Sequence, residues 1–262
     1  MKRVRFSLIR NLAPTTPDGS PDVKYGLLDG DTVYETASLV SDAQGARHAL
    51  DEVRLLPPCW PSKIVCVGRN YREHAAETGS EVPSEPLIFL KPPSALGANG
   101  DPIVYTPLSQ RVDHEAELGV VIGRRARGVK REQAKDYILG YTCVNDVTAR
   151  DLQNKDGQWT RSKSFDTFCP VGPWIVPKDE VAFDRIWVRA FVDGQKKQEA
   201  SIRDLVFPVD VLIEFITQVM TLEVGDLIAT GTPSGISPMQ PGSVVRVVID
   251  GVGTLENQVV RP

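Results

Sequence analysis

Apolar positions in this chain fall mostly into short runs, either continuous or alternating with polar residues, and such runs are typical of β-strands. Along residues 113–123 the acidic residues Glu115 and Glu117 alternate with apolar ones, which predicts a strand. Residues two apart on a strand share a face, so we expect the two carboxylates to project together. The opposite face should enter a core and consists of Leu118, Val120 and Ile122.

Similar runs predict further strands, and turn residues separate them. Asp29-Gly30 and Asp193-Gly194 are strong hairpin signals between two pairs of these runs. The other predicted strands are 4–9, 23–28, 32–36, 63–68, 86–91, 139–144, 174–176, 186–192, 195–198, 227–230, 244–249 and 254–260, with a Pro/Gly/Asp-rich loop at 13–22.

Helical periodicity is rarer. The best helix is 208–222, where Pro208 suits the first turn. Shorter helices are predicted at 72–78 and 132–138. The apolar stripe of the long helix should consist of Val211, Leu212, Phe215, Ile216 and Val219.

These elements predict a β-dominated α+β fold with one long packing helix. The proline-rich stretch 55–61 ends regular structure and reads as a linker. We therefore expect a small β-rich N-terminal domain at 1–58 and a larger domain at 59–262.

Composition adds several exclusions. The net charge of -4 and the pI of about 5.5 give no reason to expect nucleic acid or an anionic membrane as a partner. The chain has no apolar run close to the roughly 18–20 residues of a spanning helix, and its charged N-terminus does not resemble a signal peptide. Four cysteines without a CxxC motif are best interpreted as free thiols, and we expect a cytoplasmic protein.

The candidate chemistry starts from Glu115 and Glu117. Two adjacent carboxylates repel each other unless a positive charge lies between them. A hard divalent cation is the simplest solution, and Asp146, between an apolar strand and a polar turn, offers a third oxygen ligand. For a lone pair of glutamates, a solvated strand face remains the alternative.

Other candidates lie nearby in the sequence. His74 and Glu77 are three apart on a predicted helix and can touch. If the turn after Asp146 is helical, Asp146, Arg150 and Gln153 share one face. An ordinary surface ion pair is the alternative in both cases.

Lys163 is unremarkable alone, and a solvated lysine is its alternative interpretation. The loop 231–235 could offer backbone N–H groups and the Thr232 hydroxyl to an anion, or be a simple turn. It is not a P-loop, because the Gly-Lys-Ser/Thr spacing is missing.

Taken in order, these motifs resemble the fumarylacetoacetate hydrolase family. The resemblance runs from about residue 62 to the C-terminus, and residues 1–55 resemble a short N-terminal domain of bacterial members. It implies a mixed β-roll fold, a homodimer, and Mg2+ or Mn2+ bound by Glu115, Glu117 and Asp146. The motifs that carry it are GRNYREHAAE (68–77), FLKP (89–92), DHEAELG (113–119), NDVTARDLQ (145–153), KSFD (163–166), GP (172–173) and GTPSG (231–235).

The resemblance also implies roles for the other candidates. Lys163 and Gln153 would contact keto or enolate oxygens of the substrate, and Thr232 would hold its carboxylate. His74 and Glu77 would form a catalytic dyad on a segment that orders over the site when substrate binds.

Four further positions complete the interpretation. Arg150 matches a motif position with a supporting role near the ligands. Arg69 and Arg72 lie beside the dyad and indicate a second carboxylate on the substrate, with a solvated helix start as the alternative. His114, where the family more often has tyrosine, should face away from the metal.

The expected activity is a metal-dependent conversion of a 2-oxo acid through an enolate. We expect a dicarboxylic substrate from aromatic catabolism and an enzyme of the 2-hydroxyhepta-2,4-diene-1,7-dioate isomerase or 5-oxopent-3-ene-1,2,5-tricarboxylate decarboxylase type. The alternatives are hydrolysis of an acylpyruvate or fumarylpyruvate, oxaloacetate decarboxylation, a non-catalytic metal-binding β-domain, and a glycosidase with two carboxylates.

Overall fold

A computed structural model describes residues 1–9 and 22–262. The predicted loop at 13–22 lies outside the described residues except for its last position. The strands are β1 (Lys2–Leu8), β2 (Lys24–Asp29), β3 (Thr32–Thr36), β4 (Arg47–Ala49), β5 (Val53–Leu56), β6 (Ile64–Gly68), β7 (Leu87–Lys91), β8 (Leu96–Gly97), β9 (Ile103–Val104), β10 (Val112–Asp113), β11 (Ala116–Ile122), β12 (Ile138–Asn145), β13 (Thr148–Ala149), β14 (Cys169–Pro177), β15 (Trp187–Val192), β16 (Gln195–Ser201), β17 (Leu227–Ala229), β18 (Val244–Ile249) and β19 (Gly253–Val260).

Helices are short by comparison, and the β-dominated fold is confirmed. The predicted helix at 132–138 is a 3₁₀ helix, Arg131–Tyr137. Among the residues that the structure describes, none of the helices combines the length and apolar character needed to cross a membrane. The α-helices are α1 (Arg72–Glu77), α2 (Arg150–Asp156), α3 (Thr160–Lys163) and α4 (Val209–Val219).

Strand β11 lies near the centre of the large sheet, whose order is β4-β3-β2-β1-β14-β12-β11-β17-β6-β7. All seven of its residues are buried. Leu118, Val120 and Ile122 enter one apolar cluster, as their alternation predicts. Val121, on the face that Glu117 shares, enters a second cluster. Both faces of the strand are therefore covered, and polar groups on it must find partners inside the protein.

A second sheet, in the order β16-β15-β18-β19-β9, covers one face of the large sheet. Its inward residues Val188 and Val247 join the cluster that contains Leu118, and Leu212 of α4 packs there too. The long predicted helix is thus the packing helix of this core.

The buried face of α4 differs from the predicted stripe. Val219 is 57% exposed, whereas Thr217 is buried. Burial of Thr217 is compatible with the core because its hydroxyl accepts a hydrogen bond from the Val129 N–H at 3.0 Å. The buried face therefore includes Ile213 and Thr217, and Val219 lies outside it. The buried residues of α4 are Val209, Leu212, Ile213, Ile216 and Thr217.

The N-terminal strands extend the large sheet. β1 pairs with β14, where Arg3 lies opposite Ile175, and also with β2 and β5. These strands nevertheless pack around an apolar cluster of their own, formed by Val4, Phe6, Leu8, Leu28, Val33 and Val53.

Candidate metal centre and active site

Three buried carboxylates meet where β11 begins and β12 ends. Glu115 precedes β11, Glu117 is its second residue, and Asp146 follows β12. The two strands are antiparallel, with Ala116 opposite Asn145, so these ends are adjacent. One oxygen from each of the three carboxylates lies within 4.8 Å of the others. The solvated-face alternative is wrong, because each of these residues is at most 3% exposed.

Three cationic side chains surround two of the carboxylates. Lys163 Nζ donates to Glu115 Oε2 at 2.8 Å and to Asp146 Oδ2 at 2.7 Å. Lys91 Nζ donates to Asp146 Oδ1 at 2.6 Å and to the Val147 carbonyl at 3.2 Å. Arg150 donates to the remaining oxygen of Glu115. The solvated-lysine alternative for Lys163 is also wrong.

Lys91 was not among the candidate residues predicted from the sequence. Its position was the available signal, because Lys91 ends the apolar strand β7 inside the FLKP motif. Its side chain is fully buried, and a buried lysine needs a charged partner. That partner is Asp146.

The surrounding charges separate the pKa values of the two glutamates. Burial alone would raise the pKa of Glu115, but Lys163 and Arg150 hold it well below its usual range. The pKa of Glu117 is instead raised well above its usual range, by burial and by the nearby carboxylates of Asp146 and Glu115. Glu117 accepts a backbone hydrogen bond from Gly231 at 2.8 Å but gains much less from cations than Glu115 does.

These observations fit a hard divalent cation. Three carboxylate oxygens can approach one ion, and oxygen ligands are those that Mg2+ and Mn2+ prefer. Moreover, the poorly neutralised Glu117 lies at the point where additional positive charge would be most stabilising.

His74 and Glu77 lie together on α1, as their spacing predicts. His74 Nδ1 is 3.2 Å from Glu77 Oε2. The other Glu77 oxygen accepts a hydrogen bond from the Gly235 N–H at 3.0 Å. His74 is only 7% exposed, so it is not part of an ordinary surface pair.

One cavity of about 290 Å³ connects nearly all the candidates. Glu77 does not line the cavity, but it contacts His74, which does. Arg72 is exposed and does not line the cavity either. The candidate residues in its wall are Arg69, His74, Glu115, Glu117, Asp146, Arg150, Gln153, Lys163 and Thr232.

The turn after Asp146 is not helical, so Asp146 does not share a helical face with Arg150 and Gln153. Helix α2 begins only at Arg150, because Thr148 and Ala149 form β13 and pair with β10. Arg150 instead donates to Asp113 Oδ2 at 2.9 Å and to Gln153 Oε1 at 2.6 Å.

Thr232 is held by Gln198, a residue that was not among the candidates predicted from the sequence. Its hydroxyl donates to the Ala116 carbonyl at 3.0 Å and accepts from Gln198 Nε2 at 2.8 Å. The Gln198 oxygen accepts from the Ala116 N–H at 2.9 Å and lies 3.1 Å from His114 Nδ1. Gln198 belongs to β16 of the other sheet, so no local pattern could have identified it. His114 is engaged by Gln198 and is not part of the carboxylate cluster.

Arg69 lines the cavity next to the aromatic ring of Trp159. Its guanidinium lies 5.9 Å from the centre of the Trp159 ring. A Cβ at Gly68 would lie 2.7 Å from this ring, so glycine permits the close approach. Arg69 itself has a φ of 57°, a left-handed conformation that non-glycine residues adopt mainly at functional or strained positions.

Comparison with known families agrees with this site. Residues 63–260 match the family model described as fumarylacetoacetate (FAA) hydrolase, C-terminal. Residues 1–58 match a model described as Rv2993c-like, N-terminal.

Named relatives act on oxaloacetate. The mitochondrial oxaloacetate decarboxylase of Dictyostelium discoideum is 46% identical over 198 residues, which cover 73% of this chain and 90% of that protein. The oxaloacetate tautomerase YisK of Bacillus subtilis is 41% identical over 239 residues, which cover 86% and 79%.

Solved structures share the whole fold. The 2-hydroxyhepta-2,4-diene-1,7-dioate isomerase of Mycobacterium marinum has a TM-score of 0.86 and 41% identity, covering 100% of this chain and 98% of that one. Maleylpyruvate hydrolase of Sphingobium sp. SYK-6, in complex with manganese(II) and pyruvate, has a TM-score of 0.78 and 33% identity, covering 100% and 99%. The chain therefore belongs to the fumarylacetoacetate hydrolase family and is an enzyme.

Proposed function

We propose that this enzyme converts a short dicarboxylic 2-oxo acid through an enolate, with oxaloacetate as the substrate and Mg2+ as the cofactor. The observation that carries the proposal is the buried cluster Glu115, Glu117 and Asp146, which opens on the same cavity as Arg69. The oxaloacetate activities of relatives at 46% and 41% identity support the choice of substrate.

The three carboxylates would hold Mg2+, or Mn2+ in its place. The bound cation would supply a Lewis acid at the 2-oxo acid and offset negative charge that develops there. Glu117 is central to its retention, since Glu115 and Asp146 already have lysine or arginine partners.

The remaining groups would act on the substrate directly. The Lys163 ammonium would donate to the enolate oxygen, where its fixed positive charge stabilises the anion. The Gln153 amide, positioned by Arg150, would orient the keto oxygen. Thr232 would hold the carboxylate next to the keto group by turning its hydroxyl proton from the Ala116 carbonyl to the substrate, and Arg69 would bind the distal carboxylate.

The dyad would move the proton. In keto-to-enol tautomerisation a base removes a proton from C3 of oxaloacetate and an acid places a proton on the C2 oxygen, and the reverse reaction exchanges these two steps. His74 lines the cavity, and the contact of its Nδ1 with the Glu77 carboxylate fixes its tautomer. Decarboxylation instead breaks the C3–C4 bond, releases CO2 and leaves the enolate of pyruvate, which can take its proton from water.

The experiment is a substrate panel with purified, metal-depleted protein. Oxaloacetate, 2-hydroxyhepta-2,4-diene-1,7-dioate, fumarylpyruvate and acetylpyruvate are each supplied with Mg2+, and the products are resolved by mass and by absorbance of the enol. Oxaloacetate should give the highest kcat/KM. A clear preference for an acylpyruvate would reject the proposed substrate.

A second candidate is isomerisation of 2-hydroxyhepta-2,4-diene-1,7-dioate, supported by the isomerase structure at 41% identity. Hydrolysis of an acylpyruvate is a third and would require the dyad to activate water. His74→Ala should then abolish hydrolysis while leaving most of any decarboxylation. A homodimer and a cytoplasmic location stay predictions.

A further inference from the structure

Two buried lysines contact the same carboxylate, but their surroundings differ. Lys91 Nζ and Lys163 Nζ donate to opposite oxygens of Asp146. Lys91 is also held by the Val147 carbonyl and does not line the cavity. Lys163 does line the cavity, and its ammonium spans the gap between Asp146 and Glu115.

The position of the Lys163 ammonium overlaps the requirements of a metal ion. Both oxygens of Glu115 and of Asp146 already accept from Lys163, Lys91 or Arg150, so a cation held by the three carboxylates would have to share these oxygens with the charged side chains. Two positive charges a few ångströms apart in a buried site repel strongly, and a divalent ion doubles this repulsion. The four-carbon stem of lysine has several rotatable bonds, so its ammonium can shift while the backbone of α3 stays in place.

We infer that Lys163 is the exchangeable counter-ion of this centre and that metal binding moves its ammonium from the Glu115–Asp146 pair toward the substrate, whereas Lys91 keeps Asp146 in place in both states. This inference rests on the metal site of the proposed function. It gives the two lysines opposite effects on metal affinity. Lys163 competes with the metal, and Lys91 positions a ligand for it.

Exchange would also couple metal occupancy to catalysis. While the ammonium bridges Glu115 and Asp146, two of its three protons are engaged. Release from at least one carboxylate would free a second proton and let the ammonium approach an enolate oxygen. The enzyme would therefore present more of the hydrogen-bonding capacity of Lys163 to substrate once the metal is bound.

The test is Mg2+ binding by isothermal titration calorimetry on chelator-treated protein, with Lys163→Met, Lys91→Met and the control Lys135→Met. Lys135 is an exposed lysine of the 3₁₀ helix Arg131–Tyr137, and its loss changes the net charge equally. Lys163→Met should bind Mg2+ about fivefold more tightly than wild type, within the usual range of site coupling. Lys91→Met should bind more weakly, and Lys135→Met should be unchanged.

Lys163 could also weaken Mg2+ binding by its charge alone, without moving. A crystal structure of the wild type with Mg2+ and oxalate distinguishes this case from displacement of the ammonium. Exchange requires that Lys163 Nζ has left hydrogen-bond distance of Glu115 or Asp146, while the Lys91–Asp146 contact persists. Retention of both Lys163 contacts beside the ion would overturn the inference, as would weaker binding by Lys163→Met. If Lys91→Met does not fold, the wild-type crystal and Lys163→Gln decide the matter. Absence of Mg2+ binding by wild type would instead reject the proposed function.

Discussion

Glu77 and Gly235 are joined by a hydrogen bond of 3.0 Å, in which the Gly235 N–H donates to the Glu77 carboxylate. The other oxygen of that carboxylate lies 3.2 Å from His74 Nδ1. Helix α1 is thus tied to the loop 231–235, which carries Thr232 and donates to Glu117 through Gly231. One set of contacts therefore joins the proposed base His74, the loop 231–235 and the proposed metal ligand Glu117.

This link predicts different defects for two substitutions of Glu77. Glu77→Gln keeps an acceptor for the Gly235 N–H but loses the charge beside His74, so kcat should fall by about 10²-fold with KM nearly unchanged. Glu77→Ala loses both contacts, so KM should also rise several-fold. Steady-state kinetics with oxaloacetate and saturating Mg2+ measures both constants. Equal KM values in the two variants would show that the contact with Gly235 does not position the loop.

Gly235 is predicted to be required for a steric reason. Its φ is +99°, and a Cβ there would lie 1.9 Å from the Lys197 carbonyl oxygen. Gly242 is a matched control, because its φ is +101° but nothing lies within 4 Å of a Cβ. Gly242→Ala should cost about 1 kcal/mol of backbone strain, and Gly235→Ala at least about 2 kcal/mol more. Denaturant unfolding measures the difference, and similar losses in both variants would contradict the steric argument.

Arg69 is predicted to select substrates with a second carboxylate. Arg69→Met should raise KM for oxaloacetate by about tenfold or more, since a charge-assisted contact is lost, and affect a monocarboxylic 2-oxo acid much less. Arg72→Met is the matched control, because Arg72 is three residues away, carries the same charge and does not line the cavity. Equal effects of the two variants would mean that only the general electrostatic field matters.

The four cysteines are predicted to be unreactive in the folded protein. All are buried free thiols, and burial raises the pKa of Cys59 and of Cys169 to about 12. In the unfolded chain a thiol loses its proton near pH 8.5, whereas these remain protonated when folded. The folded state then binds more protons, so stability should fall as the pH rises from about 8.5 toward 12.

Two measurements check this prediction. A thiol reagent at pH 8 should label no cysteine in native protein and all four after unfolding. Unfolding curves at pH 7.5 and 9.5 should show lower stability at the higher pH, with a smaller difference in Cys169→Ala. Rapid labelling of native protein would contradict the assigned burial.

Much of this architecture could be predicted from local patterns. The alternation at 113–123 placed Leu118, Val120 and Ile122 in the core, and the Asp-Gly turns identified two hairpins. The ordered motifs indicated the family. Such features depend on neighbours in sequence, which a chain displays directly.

What could not be predicted depends on contacts across the fold. Gln198 reaches Thr232 from the second sheet, and Lys91 reaches Asp146 from β7. The buried face of α4 includes Thr217, whose hydroxyl is paired with the Val129 N–H, a group distant in sequence. Helix α2 starts late because β13 pairs with β10. In each case a long-range polar contact overrides the local pattern.

Metal dependence of the enzyme is tested by the rate of oxaloacetate conversion by chelator-treated protein before and after Mg2+ is added. Keto–enol interconversion is followed by absorbance and pyruvate formation by a coupled assay. Glu117→Gln at the same Mg2+ concentration corrects for catalysis by free metal. We predict background rates with chelator, full recovery with Mg2+ in the wild type, and no recovery in Glu117→Gln. Full turnover in the presence of chelator, or equal turnover by Glu117→Gln, would contradict a metal-dependent mechanism at this centre.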